Sequence, residues 1–207
     1  MFAQLSIEEF VQRLSDGNPT PGGGSAAALA GAMGSALVAM FCNLTAGRKK
    51  YVAVKEEMET VAAFALELKE QLLELVDRDS VAYEGIVAAN RLPRETEAEK
   101  VRRQEAIDAA TLEATRTPLE TAAVCVSLLE RIPPLAAKGN PNAISDLKVG
   151  TELLFTAFTG ARANVDINLP WLAEPAASPI KAELAELVRR AEMSVRSGRE
   201  EISRQQA

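Results

Sequence analysis

The chain has no histidine in 207 residues. That removes histidine acid–base pairs, serine–histidine and cysteine–histidine nucleophiles, and the commonest zinc ligands. Proton transfer falls to carboxylates, lysines or tyrosines. One carboxylate stands out by its place in a repeat. Val54, Met58, Val61, Ala65, Leu68, Leu72, Leu75, Ala82, Ile86 and Ala89 follow the alternating four- and three-residue steps of a helix packed almost parallel to its neighbours. The seam position between Leu75 and Ala82 is Asp79. An unpaired charge buried there is costly, so Asp79 must be hydrogen-bonded, paired, protonated or facing a cavity, and a raised pKa is expected. The pattern leaves two roles open, a structural hydrogen bond to a neighbouring helix or a proton-transfer group. Asp77 lies off the seam and reads as solvated or paired at the surface.

The second chemical stretch is Thr20-Pro21-Gly22-Gly23-Gly24-Ser25. Its glycines permit unusual backbone conformations, and Ser25 is expected to cap a helix over Ala26–Thr45. Amides at a helix start lack intrahelical partners and can hold an anion or a polar ligand edge, although such a turn can also be a tight connection. Small residues at Ala27, Gly31, Ser35 and Ala39, beside Ala30 and Gly34, let a neighbouring backbone come close, so this helix is expected to be central. It is about long enough to span a bilayer, but only mildly apolar, and a membrane role is not expected.

The elements around these stretches are helical throughout. Ser6-Ile7-Glu8-Glu9 and Thr96-Glu97-Ala98-Glu99 are capping boxes. The first helix should end near Asp16-Gly17. Gly47-Arg48-Lys49-Lys50 closes the central helix, its cations either suiting the negative end of the dipole or gripping an anionic ligand tail. Lys100, Arg102 and Arg103 sit early in the helix that follows Thr96, against the dipole. Thr117-Pro118 marks a kink or a restart with Thr117 as N-cap, and Pro133-Pro134 a further break. Gly139-Asn140 through Ser145-Asp146 is a polar loop before a helix over Leu147–Val165. Asp146 either favours that helix start or turns into a site. Asn164 and Asn168 either contact a ligand or satisfy backbone groups where the helix frays before Pro170. Trp171–Pro175 reads as a loop, Ser178-Pro179 as the start of the last helix, and Glu200–Ala207 as its fraying end.

The expected fold is all-α, a single domain over residues 1–207 built as a bundle of long antiparallel helices that dimerises through helix packing. A net charge of −6 argues against nucleic acid or an anionic membrane as the main partner. Cys42 and Cys125 lie in apolar helical stretches and suggest neither a disulfide framework nor a thiolate metal site. No signal peptide is recognised, since Ser6–Leu14 reads as an amphipathic helix, and a cytoplasmic location is expected.

Taken together, Pro21-Gly22-Gly23-Gly24-Ser25, Gly47-Arg48-Lys49-Lys50-Tyr51, Leu75-Val76-Asp77-Arg78-Asp79 through Tyr83, Arg91-Leu92-Pro93 with Glu99-Lys100 and Arg103, Gly139-Asn140 through Ser145-Asp146, and Asn164-Val165-Asp166-Ile167-Asn168-Leu169 resemble the formiminotransferase-cyclodeaminase C-terminal family. The resemblance covers nearly the whole chain. It implies an all-helical homodimer acting on tetrahydrofolate or its polyglutamylated form, with no bound cofactor and no metal. The implied reaction is closure of 5-formiminotetrahydrofolate to 5,10-methenyltetrahydrofolate with loss of ammonia. The alternatives are hydrolysis of the methenyl compound, or a non-catalytic helical dimer that binds folate. The family's catalytic aspartate falls on Asp79. By the same resemblance Gly22, Gly23, Gly24, Ser25, Asn140, Asp146, Asn164 and Asn168 would hold the pterin or orient the reacting groups. Arg48, Lys49, Lys100 and Arg103 would meet the glutamate tail. A transferase domain, fused to the deaminase in animal members, is not part of this sequence.

Overall fold

The computed structural model describes residues 1–206. Helix α1 spans Ile7–Ser15, α2 Gly23–Ala46, α3 Lys55–Asn90, α4 Glu97–Leu129, α5 Ile132–Lys138, α6 Ile144–Asn168 and α7 Glu174–Gln206, with 3-10 turns between several of them. No strand occurs among the described residues. Both capping boxes are formed, Ser6 with Glu9 and Thr96 with Glu99.

Helix α2 is the hub, enclosed by α3 on one side and α6 on the other. The small-residue face is what brings them close. A Cβ on Gly34 would lie 2.9 Å from the Gly150 carbonyl oxygen, and one on Gly31 would lie 3.0 Å from the Cys125 sulfur and 3.2 Å from Leu72. Gly150 faces Gly34, Gly160 faces Ala27 and Asn164 faces Gly23, so α6 runs antiparallel to α2; Leu72 beside Gly31 and Asp79 beside Gly24 set α3 antiparallel as well. Among the described residues, helix α2 alone has the length and apolarity of a membrane span, and most of its apolar window is buried inside the protein. Around it Phe41, Met58, Leu72, Leu75, Leu128, Leu154 and Phe158 form the core.

Several boundaries differ from the sequence reading. Helix α2 begins at Gly23 with Gly22 as N-cap, and Ser25 makes no cap; its hydroxyl is buried and turned towards α3. Helix α4 neither restarts nor takes Thr117 as an N-cap, because the Thr117 hydroxyl donates to the Glu113 carbonyl and Pro118 sits inside a continuous helix. Helix α6 begins at Ile144, three residues before the expected start, and runs on to Asn168. Helix α7 begins at Glu174, with Pro179 inside it. The carbonyl that Pro179 leaves without a helical donor belongs to exposed Pro175, where water can serve it. The same helix continues to Gln206 rather than fraying from Glu200, and Ala207 lies outside the described residues. Asp77 is not a surface group. It accepts the Phe2 amide from the N-terminal 3-10 turn, and its other oxygen is buried without a partner.

Candidate active site

The start of α2 meets the middle of α3 at Asp79. The N-cap geometry leaves the Gly23, Gly24 and Ser25 amides in the first turn, since the first intrahelical bond is donated by Ala26 to the Gly22 carbonyl at 3.0 Å. The Asp79 carboxyl lies against that turn. A Cβ on Gly24 would come within 2.0 Å of Asp79 Oδ1, so glycine at this position is dictated by the carboxyl beside it. Burial pushes the Asp79 carboxyl above the usual carboxylate range, and the hydroxyl and amide of Ser25 pull it part of the way back.

The hydrogen bonds around Asp79 accommodate either protonation state. Ser25 Oγ lies 2.9 Å from the Val76 carbonyl oxygen, 3.0 Å from Asp79 Oδ2 and 3.1 Å from Ser80 Oγ. A hydroxyl has one proton to give and two lone pairs to offer. When Asp79 is ionised, Ser25 donates to Oδ2 and accepts from Ser80. When Asp79 is protonated, it donates to Ser25, which turns its own proton to the Val76 carbonyl. One hydroxyl rotation separates the two arrangements, and neither leaves the carboxyl unpaired.

Asp79 opens onto a cavity of about 900 Å³ between α2, α3, α4 and the end of α6, within the range of small-molecule sites. Of the residues singled out in the sequence, Gly22, Gly23, Gly24, Asp79, Asn164 and Asn168 line it. Both asparagines also serve backbone carbonyls, though not at a fraying end of α6 as the sequence reading offered, since one acceptor lies inside α6 and the other on α4. The Asn164 amide donates to the Gly160 carbonyl at 2.8 Å and the Asn168 amide to the Ala114 carbonyl at 2.9 Å. Arg103 stands at the rim, its guanidinium donating to the backbone and side-chain oxygens of the lining residue Asn90. Lys100 is exposed and paired with Glu97.

The remaining candidates are elsewhere in the chain. Helix α2 has 24 residues and is therefore about 36 Å long at roughly 1.5 Å per residue. Arg48 and Lys49 follow its far end and are exposed. Asn140 is buried at that end too, its amide donating to Thr45 Oγ1 at 3.1 Å and its side chain accepting from the Asn142 amide. Asp146 lies in the first turn of α6, one turn before Gly150, which faces Gly34, Leu37 and Val38 of α2. Within one chain none of these four reaches the Asp79 cavity.

The cavity also contains Tyr83, Asn90, Gln104, Asp108 and Trp171, none of them among the site candidates read from the sequence. Tyr83 had a usable signal, since it is one turn from Asp79 on the same helix. Gln104 and Asp108, joined at 2.8 Å, depend on how α4 lies against α3, which no local pattern encodes.

A family model described as formiminotransferase-cyclodeaminase matches residues 6–186. The chain belongs to that family. Among relatives, the methenyltetrahydrofolate cyclohydrolase of Methylorubrum extorquens is 39% identical over 168 residues, 81% of each chain. The rat formimidoyltransferase-cyclodeaminase is 34% identical over 164 residues, which are 79% of this chain and 30% of that longer protein. The crystal structure of formiminotetrahydrofolate cyclodeaminase from Thermotoga maritima superposes with a TM-score of 0.89 over 98% of both chains at 28% identity. The family's helical architecture is thus retained end to end in this member.

Proposed function

We propose that this chain is an enzyme of folate one-carbon metabolism that closes 5-formiminotetrahydrofolate to 5,10-methenyltetrahydrofolate with release of ammonia. The observation that carries the reading is Asp79, a carboxyl with a raised pKa, facing a cavity and able to exchange its proton by one hydroxyl rotation. In the reaction N10 of the substrate attacks the formimino carbon, forming the N10–carbon bond, and ionised Asp79 takes the N10 proton. The acid so formed returns the proton to the formimino nitrogen. A further proton from solvent completes the ammonium leaving group, the carbon–nitrogen bond breaks, and the methenyl cation remains. These steps use the carboxyl and one solvent proton and call for no resident metal or cofactor. The Thermotoga maritima neighbour supports this reaction by its name.

A second reading is favoured by the Methylorubrum extorquens relative, which is similar over 81% of both chains. There Asp79 would take a proton from water as its oxygen bonds to the methenyl carbon and then return it to N5; the N5–carbon bond breaks, the new hydroxyl loses its proton to solvent, and 10-formyltetrahydrofolate is the product. The deciding experiment supplies each folate separately and follows the methenyl chromophore, with ammonia measured alongside. Appearance of the chromophore with ammonia supports the cyclodeaminase, and its disappearance without ammonia supports the cyclohydrolase. Asp79→Asn should abolish whichever is found while folate binding persists. If the parent protein binds and turns over neither folate, the proposal fails.

The proposal includes a homodimer. Gly23, Ala26, Ala30, Met33, Leu37, Met40, Leu44 and Gly47 form an uncharged outer stripe along α2 in alternating steps of three and four, and Met33, Met40 and Leu44 are 47%, 39% and 43% exposed. A two-fold axis crossing the middle of this stripe pairs two antiparallel α2 helices. It carries the partner subunit's Arg48 and the partner subunit's Lys49 towards the glycine turn, where they can meet an anionic folate tail. Such an arrangement accounts for candidate residues at both ends of one helix. Met33→Glu with Met40→Glu should give a monomer in sedimentation and lose activity together; a fully active monomer would remove this part of the reading. Two buried thiols, Cys42 and Cys125, fit a reducing compartment such as the cytoplasm.

A further inference from the structure

Proline in a helix interior removes one backbone donor. Pro118 stands four residues after Ala114 in α4, so the Ala114 carbonyl has no amide in its usual helical position. It is also a lining residue of the Asp79 cavity. An open carbonyl in a cavity wall must find another donor, and it finds one from a different helix. Asn168, the last residue of α6, donates its side-chain amide to the Ala114 oxygen at 2.9 Å across 54 positions of sequence.

Asn168 also begins the 3-10 turn Leu169–Trp171, and Ile167, Asn168 and Trp171 together line the cavity. Trp171 is 77% exposed, while Leu169 of the same turn packs against the core, so the tryptophan side of the turn has the fewer contacts to hold it. We infer that Pro118, the Ala114 carbonyl and Asn168 form a latch that fixes the Ile167–Trp171 wall against α4, making Asn168 a positioning residue. The proline raises the weight of the latch, because it leaves the Asn168 amide as the donor that replaces the missing helical one. With another residue at 118, the Ala114 carbonyl would accept first from its own helix, and the Asn168 bond would add less.

The inference rests on the proposed folate site only for its kinetic arm. Trp171 is the single tryptophan, so its fluorescence anisotropy reads the motion of this wall without any ligand. Asn168→Ala should lower the anisotropy of the free protein and raise KM by roughly fivefold, the weight of one net hydrogen bond, with kcat little changed. In a Pro118→Ala background, where residue 118 supplies an amide to Ala114, the same Asn168 substitution should have a clearly smaller effect on anisotropy, KM and denaturation midpoint. Additive effects in the two backgrounds would overturn the latch. So would an unchanged anisotropy in Asn168→Ala, or a loss confined to kcat, which would put Asn168 at the reacting atoms. Should the parent turn over no folate, the anisotropy and stability arms still decide the latch, and the failure belongs to the functional proposal alone.

Discussion

Two adjacent glycines should respond to the same substitution in opposite ways. A Cβ at position 24 would sit 2.0 Å from Asp79 Oδ1, 2.5 Å from its carboxyl carbon and 2.8 Å from Oδ2, whereas ordinary contact begins at 3.4 Å. The difference, 3.4 − 2.0, means that Gly24→Ala displaces the carboxyl by up to 1.4 Å. A misplacement of about 1 Å at a reacting group costs on the order of a hundredfold in rate. Stability should change much less. Overpacking costs about 1–3 kcal/mol and alanine returns roughly 0.5–1 kcal/mol of helix preference. The net is at most about 2.5 kcal/mol, and at roughly 2–4 °C per kcal/mol for a chain of this size Tm falls by no more than about 10 °C. At position 23 the nearest atom to an added Cβ is Asn164 Nδ2 at 3.8 Å, an ordinary contact. Gly23→Ala should therefore keep kcat and gain slightly in Tm, with any crowding of the cavity confined to KM. The assay is steady-state turnover on both folates, with thermal melts of the parent and both variants. An Asp79→Ala background checks the cause, because Gly24→Ala should there lose its stability cost. A Gly24→Ala enzyme with parental kcat would refute the reasoning, since the carboxyl would not need the place it occupies.

Other consequences can be measured on the same preparations. The unfolded Asp79 carboxyl titrates near 3.8 and the folded one above it, so its contribution to stability is complete below 3.8 and is lost as pH rises through the folded value. Asp79→Asn, which stays neutral, should gain Tm relative to the parent across that window, and a pH-independent difference would contradict the burial argument. The Ser25 hydroxyl holds the Asp79 pKa down, so Ser25→Ala should move the Asp79-dependent limb of the pH–rate profile to higher pH and lower kcat by about tenfold to a hundredfold, as the relay partner is lost. Burial raises the Cys42 and Cys125 thiols to about 12, so iodoacetamide at neutral pH should label neither in the native protein and both after unfolding; prompt native labelling, read by mass spectrometry, would contradict it.

The fold was readable wherever a local pattern determined the outcome. The seam of α3, the two capping boxes and the small-residue face of α2 each answer to nearest neighbours along one helix, and each formed as its spacing implied. The errors came where a distant group overrode a local preference. Ser25 has the chemistry of a cap, but its hydroxyl is used by Val76, Asp79 and Ser80, more than 50 residues away. Thr117-Pro118 has the form of a helix start, yet α4 continues because packing holds it and Asn168 serves the carbonyl the proline exposes. Asp77 had no distinguishing pattern, since its partner is the amide of Phe2, 75 positions away in the sequence. For the site, Asp79 was visible as a charge in an apolar seam, whereas Gln104 and Asp108 join it only through the alignment of α4 against α3.

On the proposed mechanism, the same physics explains why a lone aspartate suits a protein without histidine. A carboxyl in water is too weak a base near neutral pH to hold a proton for delivery to a leaving amine. Burial between α2 and α3 raises its pKa, while the first-turn amides and Ser25 keep the ionised form from being excluded. These opposing influences come from one joint between two helices, so the proton affinity of Asp79 is set by how closely α2 approaches α3. Gly24 and Gly31 allow that approach; a side chain at Gly24 would displace the carboxyl directly, whereas one at Gly31 would press on Leu72 and Cys125 and act on the carboxyl through the spacing of the two helices. On the proposed mechanism the small-residue face of α2 is therefore part of the acid–base apparatus, and substitutions along it should shift the pH–rate profile even where no atom touches substrate.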